Sequence, residues 1–342
     1  MTRSCALVWL ISVACPSVFA EVPPTIGEVI PHDPRIAEVL DGDAKIEVIA
    51  TGFKWSEGPC WVPKEDGYLL FSDVPANSIY RWTQVDGISL FLKPSGFTGR
   101  TKDAWNGGSN GLLLNRRGEI VCFEHGDRRV SCITRGGGKI TLADRYDGKR
   151  LNSPNDGVFD RYGNLYFTDP PYGLREGLAD DLAELDFSGL YRLAPDGDLT
   201  LLSKEMTFPN GVGLSPDGKT LYVSQCDPNA AIWRAFPVND DGTVGNPHLF
   251  ADATSEWGQL PGLVDGLTID VDGRVWATSP GGVTIFLPDG TTLGRIGVGE
   301  KISNCTFGGA GNSILYLTAD MHVCRITTKT SGYRPFAPAG QN

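Results

Sequence analysis

Short runs of β-branched, aromatic and other apolar residues recur along this chain, and a turn glycine precedes each run. Apolar runs of this length between glycine-rich turns are typical of β-strands. Six runs share one form, and they read YLLFSD, EIVCFE, NLYFTD, KTLYVSQ, RVWATS and SILYLTAD. Another short strand follows most of them and reads IYRW, RVSCI, LYRL, IWRAF, VTIF or VCRI. The pattern predicts an all-β protein made of six similar units.

A polar residue opens each unit, seven to ten residues before the turn glycine. The opening residues are Glu57, Asn110, Asn155, Asn210, Asp265 and Asn304. They are 53, 45, 55, 55 and 39 residues apart, and each interval holds four short strands. Such units are too long for a hexapeptide β-helix and too rich in strands for leucine-rich repeats, so they predict a closed six-bladed β-propeller. Because the innermost strands of such a ring line a central channel, we expect the six opening side chains to meet on its axis.

Residues 1–20 have the form of a signal peptide. Arg3 precedes an apolar stretch, and a small-x-small cleavage signal ends at Ala20. We therefore expect the mature chain to begin at Glu21 and the protein to be exported to the periplasm or the medium. A lipid anchor on Cys15 is the alternative, although Ser12 suits that signal poorly.

The next segment, residues 21–45, is rich in proline and polar residues and is expected to be an irregular lead-in. Residues 46–342 are expected to form a single propeller domain. Within them, residues 46–50 alternate in polarity and read as a strand that belongs to no repeat. We predict that this N-terminal strand completes the last blade, which closes the ring and hides a sheet edge.

The net charge of the 342-residue chain is −11, and loss of Arg3 with the signal peptide makes it −12. This acidity argues against nucleic acid as a partner, since nucleic acid selects basic surfaces. A hydrophobic fraction of 41% is enough for a packed core. No apolar run after the signal peptide is long enough to span a bilayer, so we expect a soluble mature protein. The oligomeric state stays open.

Six cysteines follow the signal peptide, and an even number in an exported protein permits disulfides. Cys122 and Cys132 flank a turn and could face each other across a hairpin. They could equally be two small hydrophobic residues on neighbouring strands. The chain has no CxxC motif and no Cys/His cluster, so a zinc-thiolate site is not expected.

The six opening residues have a composition that suits a hard cation. Glu57 and Asp265 are carboxylates and the other four are amides, and such oxygens bind Ca²⁺, Mg²⁺ or Mn²⁺. Two carboxylates converging in a narrow channel would repel each other and raise each other's pKa. No Lys or Arg stands at an opening position to compensate them. The pattern therefore predicts a metal site on the axis.

Turn chemistry is the alternative cause of the same residues. Asn-Gly and Asp-Gly are common turn sequences because asparagine tolerates a left-handed backbone. However, the units already have turn pairs elsewhere, at Asp66-Gly67, Asp217-Gly218 and Asp272-Gly273. A second set of such residues in each unit needs a cause of its own.

Other catalytic signatures are weak or missing. Of the four histidines, only His125 lies at a strand end beside acids, which makes it a candidate site residue. No GxSxG motif supports a serine triad, and no P-loop or dinucleotide-binding fingerprint occurs. Insertions that collect on one face of the ring are expected at residues 93–109, 170–189 and 252–263.

Several longer motifs together resemble one protein family. They are W-S-E-G-P-C-W at 55–61, L-N-S-P-N-D-G at 151–157, F-T-D-P-P-Y-G at 167–173, F-P-N-G-V-G-L-S-P-D-G at 208–218 and V-D-G-L-T-I-D-V-D-G at 264–273. With these motifs the chain resembles the gluconolactonase and regucalcin (senescence marker protein) family of six-bladed propellers over nearly all of its mature length. The motif E-H-G-D-R-R-V at 124–130 resembles the exported bacterial gluconolactonase branch in particular.

The resemblance implies a lactonase with one divalent metal on the axis. The matching positions make Glu57, Asn210 and Asp265 the metal ligands, and they make Asp265 also the general base. Asn155 matches a residue that contacts water or substrate. Ser153 stands where animal members have an arginine that binds the sugar, so substrate contacts cannot be transferred from them.

From the residues and the resemblance together we predict hydrolysis of a gluconolactone-like sugar lactone to the hydroxy acid. Calcium is the expected ion, with magnesium, manganese or zinc as alternatives, and the partner is the small lactone itself. Further substrate contacts are expected from Asn110, Asn304, Asp169, Tyr172 and His125. The competing hypotheses are a broader esterase of the paraoxonase type, which would need a catalytic histidine, and a non-catalytic propeller that binds a carbohydrate or a partner.

Overall fold

Six antiparallel sheets surround a common axis in the computed structural model, which describes residues 23–64, 66–100 and 105–336. In blades 1 to 4 the strands follow the order in the chain from the innermost strand outward, and in blades 5 and 6 a strand from the N-terminal segment is added at the outer edge. Blades 1 to 3 consist of Ser56–Val62, Tyr68–Asp73, Ser78–Thr83 and Gly87–Leu92; Ser109–Leu114, Ile120–Glu124, Arg129–Ile133 and Lys139–Ala143; and Gly157–Phe159, Leu165–Asp169, Gly189–Leu193 and Leu199–Ser203.

Blades 4 to 6 continue the pattern. They consist of Pro209–Leu214, Thr220–Gln225, Ile232–Pro237 and His248–Asp252; Leu267–Ile269, Val275–Ser279, Gly282–Phe286 and Thr292–Gly297; and Ile302–Gly308, Ile314–Ala319, His322–Thr327 and the N-terminal Glu47–Thr51. The prediction of an all-β, six-bladed propeller is confirmed. Among the described residues, no helix has the length and apolar character needed to cross a bilayer.

The N-terminal strand closes the ring as predicted. Glu47–Thr51 pairs antiparallel with His322–Thr327 and forms the outer edge of blade 6. The Arg325 Nε donates to the Glu47 carboxylate over 2.6 Å and fixes this register. At the inner edge, the Ser56 N–H of blade 1 donates to the Asp320 carbonyl of blade 6 over 2.9 Å. Residues from the two ends of the chain therefore hold the ring together.

The lead-in has more regular structure than expected. Glu28–Pro31 is a strand that adds a fifth member to blade 5, and Pro34–Glu38 is a 3₁₀-helix capped by the Asp33 side chain. A four-residue strand ending in proline has too little pattern to identify from sequence, and it exists here because an open sheet edge accepts it. The remaining short elements are the hairpin Arg145–Tyr146 with Lys149–Arg150 and the 3₁₀-helices Gly177–Ala179, Thr254–Glu256 and Ala310–Asn312. The expected signal peptide lies outside the described residues.

The six cysteines of the described residues are free thiols, and five of them are buried. Cys122 pairs with Ser131, and Cys132 pairs with Val121 on the neighbouring strand. Because successive side chains alternate between the faces of a sheet, this register puts the two sulfur atoms on opposite faces. The two cysteines therefore belong to two different hydrophobic clusters, as the small-hydrophobe alternative predicts.

The regular ladder is interrupted where the inner strands carry the six opening residues. Register shifts follow Glu57, Ser109, Pro209 and Ile302 in four blades, and in blades 3 and 5 the strand begins only after the opening residue. A β-bulge turns a side chain out of the sheet alternation, and bulges are common next to active sites. The interruption thus aims the polar side chains at the axis.

The glycine after the opening residue allows neighbouring blades to approach. The Gly111 N–H donates to the Asn155 carbonyl over 2.8 Å, and the Gly211 N–H donates to the Asp265 carbonyl over 3.2 Å. A Cβ on either glycine would lie 2.5–2.7 Å from those same carbonyl oxygens. Asn-Gly and Asp-Gly recur here because ring closure needs the glycine, whereas the identity of the residue before it is free to serve the channel.

Candidate active site on the propeller axis

The six opening side chains are all buried, and each lies in the innermost strand of its blade or two residues before it. Each of Glu57, Asn110, Asn155, Asn210, Asp265 and Asn304 is at most 7% exposed. Five of them interact with another side chain of the site, through a hydrogen bond or through the repulsion between carboxylates. The sixth is Asn110, whose Oδ1 has no hydrogen-bond partner among the described residues. The Asn110 oxygen is therefore free to accept a hydrogen bond or to contact a cation.

A third carboxylate joins the two that the repeat identified. Asp156 follows Asn155 directly and is 7% exposed. Its Oδ1 accepts the Gly157 N–H over 2.8 Å, and its Oδ2 accepts the Asn304 Nδ2 over 3.1 Å. The sequence did contain a signal, because this is the one opening phrase in which an acid stands between the asparagine and the glycine. Asn304 is therefore engaged with a carboxylate inside the channel.

The three carboxylates are difficult to ionise together. Burial is the first cause, and it raises the pKa of Glu57 to about 8 and that of Asp156 to about 7. Burial also raises the pKa of Asp265 well above its ordinary value, and the negative charges of Glu57 and Asp156 raise it further. None of the ion pairs in the described ranges includes any of the three. The expected repulsion on the axis is present, and it is stronger than two carboxylates would produce.

A chain of four polar side chains runs beside the carboxylates. The His125 Nε2 lies 3.1 Å from the Asn155 Oδ1, and the Asn155 Nδ2 donates to the Asn210 Oδ1 over 2.5 Å. The Asn210 Nδ2 donates to the Tyr172 Oη over 3.3 Å, and it also interacts with the Asp265 carboxylate. His125 and Tyr172, which sequence placed among the substrate contacts, therefore adjoin the predicted ligand Asn210 through hydrogen bonds.

Tyr172 comes from the second insertion and forms part of the wall of the site. Its ring stacks on Phe208 with centroids 6.0 Å apart, and its hydroxyl lies 3.5 Å from the Phe208 carbonyl. Cys226 adjoins the same hydroxyl, and burial raises the pKa of its thiol before the charge of Asp265 adds to that effect. At neutral pH this cysteine is a neutral thiol rather than a nucleophile.

Asp169 has a supporting position. Its two carboxylate oxygens accept the backbone N–H groups of Asn152 and Ser153, each over 2.8 Å, and the side chain is fully buried. Burial raises its pKa to about 7, although those two hydrogen bonds act in the opposite direction. Since both oxygens are engaged, Asp169 holds the loop that carries Asn155 instead of facing a ligand.

His125 is almost completely buried, and this decides its protonation. Burial lowers the pKa of its imidazole to about 4, against the opposing effect of the hydrogen bond to Asn155. The ring is therefore neutral at physiological pH. A base of such low pKa is poorly matched to proton abstraction near neutrality.

The donor set fits a hard divalent cation. Glu57, Asn210 and Asp265 offer two carboxylates and an amide oxygen, the uncompensated charge calls for a cation, and Asn110 leaves an oxygen free nearby. In the described part of the chain, no three His, Cys, Asp or Glu side chains are arranged to bind a metal by themselves. The amide oxygens are therefore necessary members of any ligand set.

The opposite end of the same inner strands has a different character. A cavity of about 970 Å³ opens there, and its wall includes Trp61, Phe307, Tyr333 and Phe336. The C-terminal segment runs along this end, where the Tyr333 N–H donates to the Ile269 carbonyl over 2.9 Å. The three buried carboxylates Glu57, Asp156 and Asp265 are not among the residues that line this cavity.

Comparison with known proteins agrees with this geometry. The family described as SMP-30/Gluconolactonase/LRE-like region matches residues 55–320. A gluconolactonase of Zymomonas mobilis is 42% identical over 323 residues, which make up 90% of this chain and 88% of the relative. The structure of a gluconolactonase from Xanthomonas campestris aligns with a TM-score of 0.77 at 31% identity and covers 91% of this chain and 99% of its own.

A more distant structure shares the fold. A calcium-binding regucalcin of Agrobacterium tumefaciens aligns with a TM-score of 0.66 at 20% identity and covers 84% of this chain and 96% of its own. At that identity the similarity shows the fold alone. The family match covers most of the propeller, and the predicted family is confirmed. The chain belongs to the SMP-30/gluconolactonase/LRE-like family.

Proposed function

We propose that this protein hydrolyses a gluconolactone-like sugar lactone to the open-chain hydroxy acid, and that a divalent cation on the axis is required. Its family membership and its 42% identity to a gluconolactonase over most of the chain make it a carboxylic-ester hydrolase. The observation that carries the finer proposal is the group of three buried carboxylates without a counter-charge.

Glu57, Asn210 and Asp265 are the residues that would hold the ion. A bound divalent cation supplies a Lewis acid that polarises the lactone carbonyl and stabilises negative charge on its oxygen. Calcium is the first choice because all three donors are oxygens of the kind that it prefers. Asn155 borders this group and keeps one N–H and one oxygen lone pair for water or a substrate hydroxyl, since each of its polar atoms has used one bond.

Asp265 is our assignment for the general base. Its carboxylate takes a proton from the attacking water while the oxygen of that water bonds to the carbonyl carbon. The ring C–O bond then breaks, its electron pair stays on the ring oxygen, and that oxygen takes up the proton. Burial raises the pKa of the Asp265 carboxyl, and a carboxylate of higher pKa is a stronger base once it is ionised.

The alternative esterase of the paraoxonase type is less well supported. It needs a histidine base, and His125 is neutral, buried and already hydrogen-bonded to Asn155. A non-catalytic binding propeller gives no reason for three uncompensated carboxylates in one channel. In the test that follows, the esterase alternative predicts that the open ester is preferred, and the binding propeller predicts no hydrolysis above the spontaneous rate.

The test is lactone turnover by protein freed of metal with a chelator and then reloaded. Acid release from D-glucono-1,5-lactone is measured above its spontaneous hydrolysis, with Ca²⁺, Mg²⁺, Mn²⁺ or Zn²⁺ added singly, and p-nitrophenyl acetate is the open ester for comparison. We expect activity that disappears on chelation, returns with at least one ion and favours the lactone. Lactone hydrolysis at the spontaneous rate with every ion would refute the proposal.

We also propose that the protein is exported, because residues 1–20 have the form of a cleavable signal peptide. Expression of the full chain followed by cell fractionation and N-terminal sequencing tests this. We expect a mature chain that begins at Glu21 outside the cytoplasm. A cytoplasmic product that retains residues 1–20 would contradict the proposal.

A further inference from the structure

The cavity at the far end of the inner strands has no part in the proposed function. Its volume of about 970 Å³ lies in the range of pockets that hold small molecules. Its aromatic wall includes two residues of the inner strands of blades 1 and 6 and two of the C-terminal segment, namely Trp61, Phe307, Tyr333 and Phe336. A wall of this kind suits a ligand with an apolar body.

The Trp61 ring gives the cavity a fixed wall. It stacks on Tyr316 with the ring centroids 5.2 Å apart and the planes 11° apart. Gly67 and Gly308 leave room for the ring, because a Cβ on either glycine would come within 2.5 Å of it. The position of this wall therefore depends on the protein's own packing, and a ligand would find it already formed.

The charge around the cavity is opposite to that of the chain. The cationic residues that line it are Lys64, Arg117, Arg135 and Arg334. Glu119 is the one acid among the described lining residues, and its carboxylate already accepts the Asn115 Nδ2 over 3.0 Å. The chain as a whole has a net charge of −11. A local excess of positive charge on an acidic protein favours an anion at this place.

Arg334 is the cation best placed to hold that anion. It is half-buried, whereas the other three cationic residues are exposed. Its guanidinium donates to the Asn312 Oδ1, and the Asn312 Nδ2 in turn donates to the Gly332 carbonyl over 2.7 Å. The Arg334 side chain is thereby held at the cavity wall by a fixed amide.

Within the described ranges, Arg334 forms no ion pair with a carboxylate. Arg325 is half-buried as well, and it pairs with Glu47 over 2.6 Å. Burial lowers the pKa of Arg334, yet a guanidinium stays protonated in proteins. Its planar set of donors matches a carboxylate or a phosphate through two parallel hydrogen bonds.

We propose that this cavity binds a small organic anion with an apolar body, such as an alkyl or aryl carboxylate, and that Arg334 pairs with the anionic group. The aromatic wall takes the apolar part of the ligand, and the exposed cations at the rim attract it. The inference does not rest on the proposed function, because the axial carboxylates do not line this cavity.

Titration calorimetry on the full chain with three compounds tests the chemistry of the ligand. Octanoate is the probe, octan-1-ol has the same chain without the charge, and gluconate is a carboxylate without an apolar chain. We expect octanoate to bind at least about tenfold more tightly than either of the others, because only octanoate uses both the guanidinium and the aromatic wall.

Substitutions test the role of Arg334. Arg334→Gln should weaken octanoate binding by about tenfold and leave octan-1-ol binding unchanged, since it removes the charge. Arg334→Lys should have an intermediate affinity, because it keeps the charge without the paired donors. Arg175→Gln is the matched control, because Arg175 is exposed beside Trp105 and does not line the cavity. Glu57→Gln should also bind octanoate as the wild type does, which separates this cavity from the axis.

NMR locates the ligand in the wild type and so does not depend on the folding of any Arg334 variant. The indole N–H resonance of Trp61, assigned with Trp61→Phe, should move when octanoate is added. The resonance of Trp105, which does not line the cavity, should stay in place.

Four results would overturn the inference. They are octan-1-ol binding as tightly as octanoate, wild-type octanoate affinity in a folded Arg334→Gln protein, a Trp61 resonance that octanoate does not move, and octanoate binding that appears only in a protein that ends at Phe336. The last result would assign the cavity to residues 337–342 of the chain itself. None of these measurements depends on lactone hydrolysis, which the chelation test decides separately.

Discussion

Glu124 and Glu57 are both buried glutamates, and their surroundings differ completely. Glu124 is fully buried at the end of a blade 2 strand, where the Arg129 Nε and the Lys139 Nζ pair with it over 2.8 Å and 2.6 Å. Glu57 is 2% exposed, and its strongest hydrogen bond is the one it accepts from the Gly58 N–H over 3.0 Å. No cationic side chain of the described residues pairs with it, and two more carboxylates lie in the same channel. One buried acid is neutralised by the protein itself, whereas the other is not.

This difference supports the proposed role of the axial carboxylates. A buried carboxylate is costly unless it is paired, and the chain is able to pair one, as at Glu124. Under the proposed function, leaving Glu57, Asp156 and Asp265 without a cation of the protein's own lowers the stability of the metal-free fold and favours binding of an external cation. Substitution at the two glutamates should therefore have opposite consequences.

The largest expected effect comes from replacing each of these two glutamates by glutamine. Glu57→Gln should lower kcat/KM by at least about 10²-fold because a charged ligand is lost, while the metal-free fold becomes no less stable. Glu124→Gln should destabilise the fold by about 1–3 kcal/mol because Arg129 and Lys139 lose their partner, with activity per folded molecule retained. Urea unfolding and lactone kinetics on both variants check this. Equal losses of stability and of activity in the two variants would contradict the different roles of the two glutamates.

Cation binding should add the next largest effect. A ligand that binds only the folded state at a hundred times its dissociation constant stabilises by about 2.7 kcal/mol. We expect Ca²⁺ to raise the thermal midpoint of the wild type and of Glu124→Gln, and to have little effect on Glu57→Gln. Scanning fluorimetry with Ca²⁺ and with chelator measures these shifts. An equal shift in all three proteins would place the stabilising ion elsewhere.

The pH dependence of the metal-free protein follows from the raised carboxyl pKa values. The folded-state pKa is about 8 for Glu57 and about 7 for Asp156, and both exceed the ordinary values of 4.5 and 3.8. A group that holds its proton more tightly in the folded state stabilises the fold at low pH. That stability is lost as pH rises from the ordinary pKa through the folded-state pKa.

In chelator, these two groups should therefore make the wild type less stable at pH 8 than at pH 5. The loss should be smaller in Glu57→Gln, which has one fewer titrating group, and saturating Ca²⁺ should reduce it. Urea unfolding at both pH values gives the comparison. A metal-free wild type whose pH dependence equals that of Glu57→Gln would contradict the assignment.

The smallest effect is expected at Asp156. Asp156→Asn removes a negative charge that raises the pKa of Asp265, without removing one of the three proposed ligands. We expect kcat/KM to fall less than about tenfold and its acid limb to move to lower pH, because Asp265 then ionises more readily. Asp181→Asn at an exposed position is the control. An acid limb that moves to higher pH would show that Asp156 does not act through its charge.

The repeat in the sequence was sufficient to predict the fold and the burial of the six opening residues. Six recurring strand runs predicted the number of blades, and the polar residue that opens each unit predicted which side chains the inner strands carry. Glu28–Pro31 was missed because so short a strand exists only through the sheet edge that it joins. Pairing with a strand that is distant in the sequence leaves no pattern in the residues of the short strand itself.

The site itself was only partly predictable. Asp156 was missed because the repeat identifies only the residue that opens each unit, and Asp156 is the second residue of its unit. Asp169 carries the same kind of side chain as Asp265, yet it supports a loop, and only the positions of the Asn152 and Ser153 N–H groups reveal this. The contact between His125 and Asn155 joins blades 2 and 3 and depends on how the side chains pack.

Anomalous diffraction from crystals soaked in Mn²⁺ or Ca²⁺ tests the central claim most directly. The account predicts one strong peak on the propeller axis, bonded to oxygens of Glu57, Asn210 and Asp265. An axis that stays empty at saturating divalent salt, or an ion bound only elsewhere, would contradict it.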